Sequence, residues 1–194
     1  MSINEVHNNK KRLKTLIENK AYLRRAPQKG ELPFELASGG TSLYLFDCKR
    51  VTQDPEGISL IASIVYDMVK DRDLDAIGGI ETGAIPICTA VAQLSFIKGN
   101  PIPAFWVRHL PKTHGTKNKI EGELKPGSRV VVVDDVTTRG NSIEEAIQEV
   151  QRIGCKIVGL MTLVDREEGA KVKLESEGFK FEAIFKSSDF KNQA

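Results

Sequence analysis

The chain has 194 residues, 40% of them hydrophobic and 28% charged, with 16 Gly, 8 Pro and three Cys. A chain of this length buries roughly 70% of its unfolded surface without disulfide or metal staples, so a single globular domain is expected and a disordered chain or disulfide scaffold is excluded. Net charge is +2, but residues 1–30 hold eight Lys/Arg against Glu5 and Glu18, leaving −4 on the remaining 164, which excludes a general nucleic-acid surface.

Cys48, Cys88 and Cys155 are odd in number and form no CxxC pair, which points to a reducing, cytoplasmic compartment and away from a zinc site. No apolar run reaches the roughly 18 residues that cross a bilayer, and the N-terminus is too charged for a signal sequence, so no membrane partner is expected. In the basic N-terminal stretch Leu13, Leu16, Ile17 and Leu23 recur at helical spacing, which predicts an amphipathic helix packed on the body rather than a nucleic-acid arm.

From Leu43 onward short apolar runs alternate with amphipathic stretches. Strands are predicted at residues 43–47, 75–80, 104–108, 129–134, 156–165 and near 181–185, with helices near 57–70, 84–94 and 142–153. This is the rhythm of βαβ units, and a run such as 130–133, all Val, is apolar on both faces, as in a parallel strand covered by helices on each side. The fold class is α/β with a doubly wound sheet, in which ligands sit beyond the carboxyl ends of the strands.

Those strand ends carry the unusual residues. Residues 38–42 join Ser, Gly and Thr before a strand, and 78–86 run from a strand into a helix through small residues whose backbone N–H groups suit an anion. The segment 107–122 holds Arg108, His109, Lys112, His114, Lys117 and Lys119 with no acid before Glu121, and its charge calls for an anionic partner. The strongest signal is 129–142, RVVVVDDVTTRGNS, a buried strand ending in two carboxylates, then a hydroxyl- and Gly-rich loop at a helix N-terminus. That loop suits a phosphate. Asp134 and Asp135 cannot serve the phosphate, so they face sugar hydroxyls or a magnesium ion on the same ligand, and a phosphorylated sugar satisfies both halves. Paired Asp plus Thr-Thr-x-Gly-x-Ser is more than a helix cap requires, and neither GxGxxG nor a Walker loop is present. After the strand 156–164 comes Asp165-Arg166-Glu167-Glu168-Gly169.

The acid pair and its loop resemble the hallmark of the type I phosphoribosyltransferases, and the pattern V-R-x-x-x-K-x-H-G resembles the catalytic loop of the orotate phosphoribosyltransferases in particular. The resemblance covers about residues 34–170. It implies a central mostly parallel sheet flanked by helices, a small N-terminal hood at 1–33, and transfer of phosphoribose from 5-phosphoribosyl 1-pyrophosphate (PRPP) to orotate in UMP synthesis, with Mg2+ carried mainly by substrate and water. It implies that Thr138, Arg139, Gly140, Asn141 and Ser142 hold the 5′-phosphate, with Val136 and Thr137 in the same segment. Asp134 and Asp135 would contact the ribose, and Thr82 and Gly83 the pyrophosphate. Arg108, His109, Lys112 and His114 would bind PRPP from a mobile catalytic loop, 108–122, donated to the neighbouring subunit of a homodimer. Arg166, with Thr138, would bind orotate through its carboxylate, for which a guanidinium fork is suited. The chain departs from many members at Ala37, Gly40 and Gly83, where basic residues are common, and at His109. Two rival readings remain: a related transferase acting on a purine or uracil, and a non-catalytic regulator that binds PRPP.

Overall fold

The computed structural model of the chain describes residues 3–35, 40–110 and 118–190. The expectations placed on Ala37, Ser38, Gly39, Lys112, His114 and Lys117 lie outside the described residues. The chain starts with α1 (Ile3–Leu16), continued by a π-helical turn over Ile17–Ala21. Leu13 and Ile17 are fully buried against the body, as the spacing predicts, each stabilising by roughly 1.5–3 kcal/mol relative to exposure. Leu23 is a correction: it lies in β1 (Tyr22–Arg24), because pairing with a later strand overrides the helical spacing of a single apolar position.

Two short strands, β2 (Phe34–Glu35) and β3 (Thr41–Ser42), pair with each other, and β4 (Tyr44–Phe46) pairs antiparallel with β1. The predicted strand at 43–47 therefore exists but stands outside the main sheet. Aromatic packing fastens this small layer to the body: Tyr22 stacks on Phe46 at 4.9 Å, and Phe46 meets Phe190 edge-on at 5.2 Å. A short helix α2 (Lys49–Thr52) follows, then α3 (Pro55–Val69). Asp54 caps α3 by accepting from the Gly57 amide at 2.9 Å, and Pro55 presets its first turn.

The main sheet is built from β5 (Ala76–Ile80), β6 (Ala104–Val107), β7 (Ile120–Glu121), β8 (Arg129–Thr137), β9 (Lys156–Asp165) and β10 (Phe181–Lys186). Its order is β10-β9-β8-β5-β6-β7, parallel throughout except for β7, which pairs antiparallel with β6. The helices α4 (Ala84–Ile97), α5 (Asn141–Arg152) and α6 (Ala170–Ser176) complete the layers. Val131 and Val133 of β8 face α1, α3 and α4, whereas Val130 and Val132 face α5 and α6. Two cores on opposite faces explain why the strand reads as a continuous apolar run.

Two boundaries differ from the sequence reading. β8 runs on to Thr137, still in register with β9 up to Thr137 opposite Asp165, so the acid pair lies inside the strand rather than at its end. The stretch 109–123 carries no strand signal of its own, yet Ile120 and Glu121 form β7, which exists through its pairing with β6.

Candidate active site

Because β5, β8 and β9 run parallel, their carboxyl ends open on one edge of the sheet, and a cavity of about 510 Å³ lies there. That size is in the usual range for a small-molecule site. Its walls bring together Thr82 and Gly83 after β5, Asp134, Asp135, Val136, Thr137, Thr138, Arg139, Gly140, Asn141 and Ser142 on and after β8, Arg166 after β9, and His109 after β6. These groups lie 24 or more residues apart in the chain, from Ser142 to Arg166 at the shortest, and the parallel sheet brings them together in space.

Asp134 and Asp135 are both buried, at 5% and 8% exposure. Each carboxylate is held locally: Asp134 Oδ1 accepts from the Asp135 amide at 2.9 Å, and Asp135 Oδ1 from the Val136 amide at 3.0 Å. Burial, reinforced by the neighbouring Asp135, pushes the Asp134 carboxyl well above the usual carboxylate range. Lys49 Nζ stands 3.7 Å from Asp135 Oδ2. The buried Thr137 hydroxyl has no hydrogen-bond partner among the described residues, leaving it for a ligand or water.

Below the acid pair, Gly140 takes a left-handed conformation (φ 86°) and forms the N-terminal boundary of α5, with no side chain capping it. The helix start is uncapped and residues 140–142 line the cavity, so the α5 N-terminus and its dipole are available for the phosphate that the sequence places there. Gly83 packs against the acids. A Cβ there would collide with Asp135 Oδ1 and lie 2.7 Å from its Cγ. The departure at position 83 is thus sterically matched to this arrangement.

Arg166 is only 3% exposed. Its amide donates to the Thr137 carbonyl at 2.9 Å and its own carbonyl accepts from Ser187 Oγ at 2.9 Å, which fix the backbone between β8 and the C-terminal turn. The guanidinium stacks 4.6 Å from the Tyr44 ring, pairs with Glu168 at 2.8 Å and donates to Ser42 Oγ at 3.3 Å. Glu167 beside it has φ 60°, and its carboxylate accepts from Ser187 Oγ and the Ser188 amide at 2.9 and 2.8 Å, holding the turn.

The basic segment begins at the cavity rim. The His109 amide donates to Glu81 Oε1 at 3.0 Å, and its ring Nδ1 lies 3.1 Å from Glu145 Oε2 on α5. Lys119, at the far end of the segment, pairs with the same carboxylate at 3.1 Å. Arg108 does not line the cavity; it lies 3.6 Å from Glu121 and donates to the Leu110 carbonyl. Lys49 and Glu81 line the site without having been singled out from the sequence; Glu81 directly follows a predicted strand, which was the available signal, whereas Lys49 carries no local one.

A family model described as the phosphoribosyl transferase domain matches residues 47–193. An orotate phosphoribosyltransferase of Bradyrhizobium diazoefficiens is 46% identical over 171 residues, covering 86% of this chain and 90% of that protein. A crystal structure of the Mycobacterium tuberculosis orotate phosphoribosyltransferase with Fe(III) dicitrate superposes with a TM-score of 0.80 at 32% identity, covering 94% of this chain and 99% of the other. The same mycobacterial enzyme with PRPP bound gives a TM-score of 0.73 at 28% identity, over 94% and 92% of the two chains. The acid pair in its strand, the uncapped helix start and the buried arginine are thus found on a chain that matches these proteins over most of its length, and it belongs to the phosphoribosyl transferase domain family and, within it, to the orotate phosphoribosyltransferases.

Proposed function

We propose that the chain transfers phosphoribose from PRPP to orotate, giving orotidine 5′-phosphate and pyrophosphate for UMP synthesis. The observation that carries this reading is Arg166, a guanidinium almost sealed from water yet lining the same cavity as the acid pair. Glu168 and Ser42 do not use all five N–H donors of this guanidinium, and the carboxylate by which orotate differs from uracil is a planar anion that suits the remainder. The 5′-phosphate then sits on the α5 N-terminus, and Asp134 and Asp135 accept from the ribose hydroxyls. Displacement at ribose C1 by the pyrimidine nitrogen passes through an oxocarbenium-like state, so the residues chiefly position the reactants and stabilise charge. Orotate is already anionic, and the reading requires no general base.

Among the described residues no three His, Cys, Asp or Glu side chains converge into a metal cage, and the nearest oxygen donors are Asp134 and Asp135. Those carboxylates suit Mg2+ held through water and through the substrate's own phosphate oxygens. When bound, the ion would neutralise charge on the departing pyrophosphate.

The active unit is read as a homodimer whose 108–122 loop, with Arg108, Lys112 and His114, works in the neighbouring site. Support comes from α4, apolar around much of its circumference, which leaves Phe96 and Ile97 at 76% and 69% exposure. A cytoplasmic location is supported by three buried, unpaired cysteines.

The test is orotate consumption, followed by ultraviolet absorbance, with PRPP and Mg2+, beside parallel reactions with uracil, adenine, hypoxanthine and guanine. Loss of orotate alone, abolished by chelation, is the expected result. Turnover of a purine or uracil in its place would reassign the base, and PRPP binding with every base untouched would leave a regulator.

A further inference from the structure

The turn after β5 that the proposed reaction assigns to pyrophosphate has no cation of its own: its side chains are an acid, Glu81, a hydroxyl, Thr82, and none, Gly83. Backbone amides alone are a weak partner for a group carrying several negative charges. Of the cations around the cavity, Arg139 lies in the loop assigned to the 5′-phosphate, Arg166 is placed for the base beside Glu168 and Tyr44, and His109 is tied to Glu145. Lys49 is placed differently. It lies at the start of α2, contacts Asp135 at 3.7 Å, and shares with Thr82 the wall of a second depression beside the cavity. Asp135 is itself in contact range of Gly83, so turn, carboxylate and ammonium form one continuous row.

The Lys49–Asp135 contact is also an easy one to exchange. The lysine side chain is 54% exposed, and ion pairs this open contribute little, so a multiply charged diphosphate outcompetes one carboxylate for it. We propose that Lys49 is a substrate-contacting residue whose ammonium group takes the diphosphate end of the phosphoribosyl donor, leaving Asp135 free for the ribose hydroxyls. The inference rests on the phosphoribosyl-transfer reading. It fills the place left by a glycine at position 83, where a side chain would strike Asp135.

The experiment compares wild type, Lys49→Gln and Lys49→Arg for binding of inorganic pyrophosphate with Mg2+ and, separately, of ribose 5-phosphate, alongside the KM values for both substrates. Loss of a charge-assisted contact predicts that Lys49→Gln weakens pyrophosphate and raises the KM for PRPP by about ten-fold or more. Ribose 5-phosphate and the orotate KM stay within about two-fold, Lys49→Arg recovers most of the loss, and the melting temperatures agree. Equal weakening of both phosphate probes, or unchanged pyrophosphate binding, overturns the contact. A wild-type protein that binds pyrophosphate through Lys49 but leaves orotate unconsumed sinks the transferase reading while the contact stands. Turnover of orotate with pyrophosphate binding indifferent to Lys49 sinks the contact alone.

Discussion

At the scale of single residues the site places charge where folding alone would not. Arg166 is buried with one carboxylate, a hydroxyl and a ring around it, an arrangement that desolvates a cation while it still lines the cavity. Arg166→Ala should raise the KM for orotate by about ten-fold or more while that for PRPP changes by less than about two-fold, since a charged hydrogen bond to one substrate is lost. Equal losses for both substrates in steady-state kinetics would remove the carboxylate contact. Asp134 shows the opposite tension. Its carboxyl is raised above the usual range by burial and by Asp135, so the folded state prefers it protonated. An acid with a raised folded pKa adds stability below its unfolded pKa and loses it as pH climbs through the folded value. At neutral pH, above its unfolded pKa, this carboxyl therefore weighs against folding. Asp134→Asn keeps the oxygen that accepts from the Asp135 amide and removes that cost, so the free protein should melt ~2–4 °C higher at neutral pH, with the gain vanishing below about pH 4. The same variant should lose turnover. Thermal melts across pH check the first half, and a variant that melts lower at neutral pH would refute the charge argument.

At the scale of elements, what was legible in the sequence follows from how local each signal is. β8 and β9 could be read because burial on both faces makes their apolar runs unbroken, and α5 because its apolar stripe is regular. β1, β2, β3 and β7 span only two or three residues each and owe their existence to pairing partners, which no local pattern records. Within the site, the loop residues Thr138 and Gly140 and the arginine after β9 were readable from strand ends, whereas Lys49 and Glu145 gain meaning only from what the fold brings beside them. Glu145 on α5 receives both His109, where the basic segment leaves β6, and Lys119, just before β7. Hydrogen bonding to this carboxylate raises the Lys119 pKa, so the lysine stays charged throughout the working range. Both stems are thereby anchored to one helix whose N-terminus lies at the proposed phosphate site. Glu145→Ala should lower kcat/KM for PRPP by about three- to ten-fold, the sum of two partly exposed ion pairs, and leave the melting temperature within about 2 °C. A variant with unchanged kinetics at low salt would show that the anchoring has no bearing on catalysis.

At the scale of the whole molecule, among the described residues of the proposed machinery Arg108 does not reach the cavity of its own chain: it is turned toward Glu121 and Leu110 while His109 beside it lines the wall. Adjacent side chains of an extended segment point to opposite sides, so the loop that follows can serve either this site or a neighbour's, and the exposed Phe96 and Ile97 mark an apolar surface available to a second copy. The arrangement has a quantitative consequence. Lys112→Ala disables the loop and Asp134→Asn disables the acid pair, so each homodimer should be nearly inactive. Random reassociation of an equal mixture puts about half the chains' dimers in the mixed form. If the loop acts across the interface, a mixed dimer combines the intact acids of one chain with the intact Lys112 of the other in one site, and its second site carries both defects. Activity should then recover to about a quarter of the wild-type value, half the dimers having one working site of two. If each loop serves its own chain, every site in every dimer contains one defect, and no recovery follows however long the mixture equilibrates. Mixing after mild dissociation, with orotate consumption measured against the two separate variants, decides between these outcomes, and a flat result would return the loop to its own subunit.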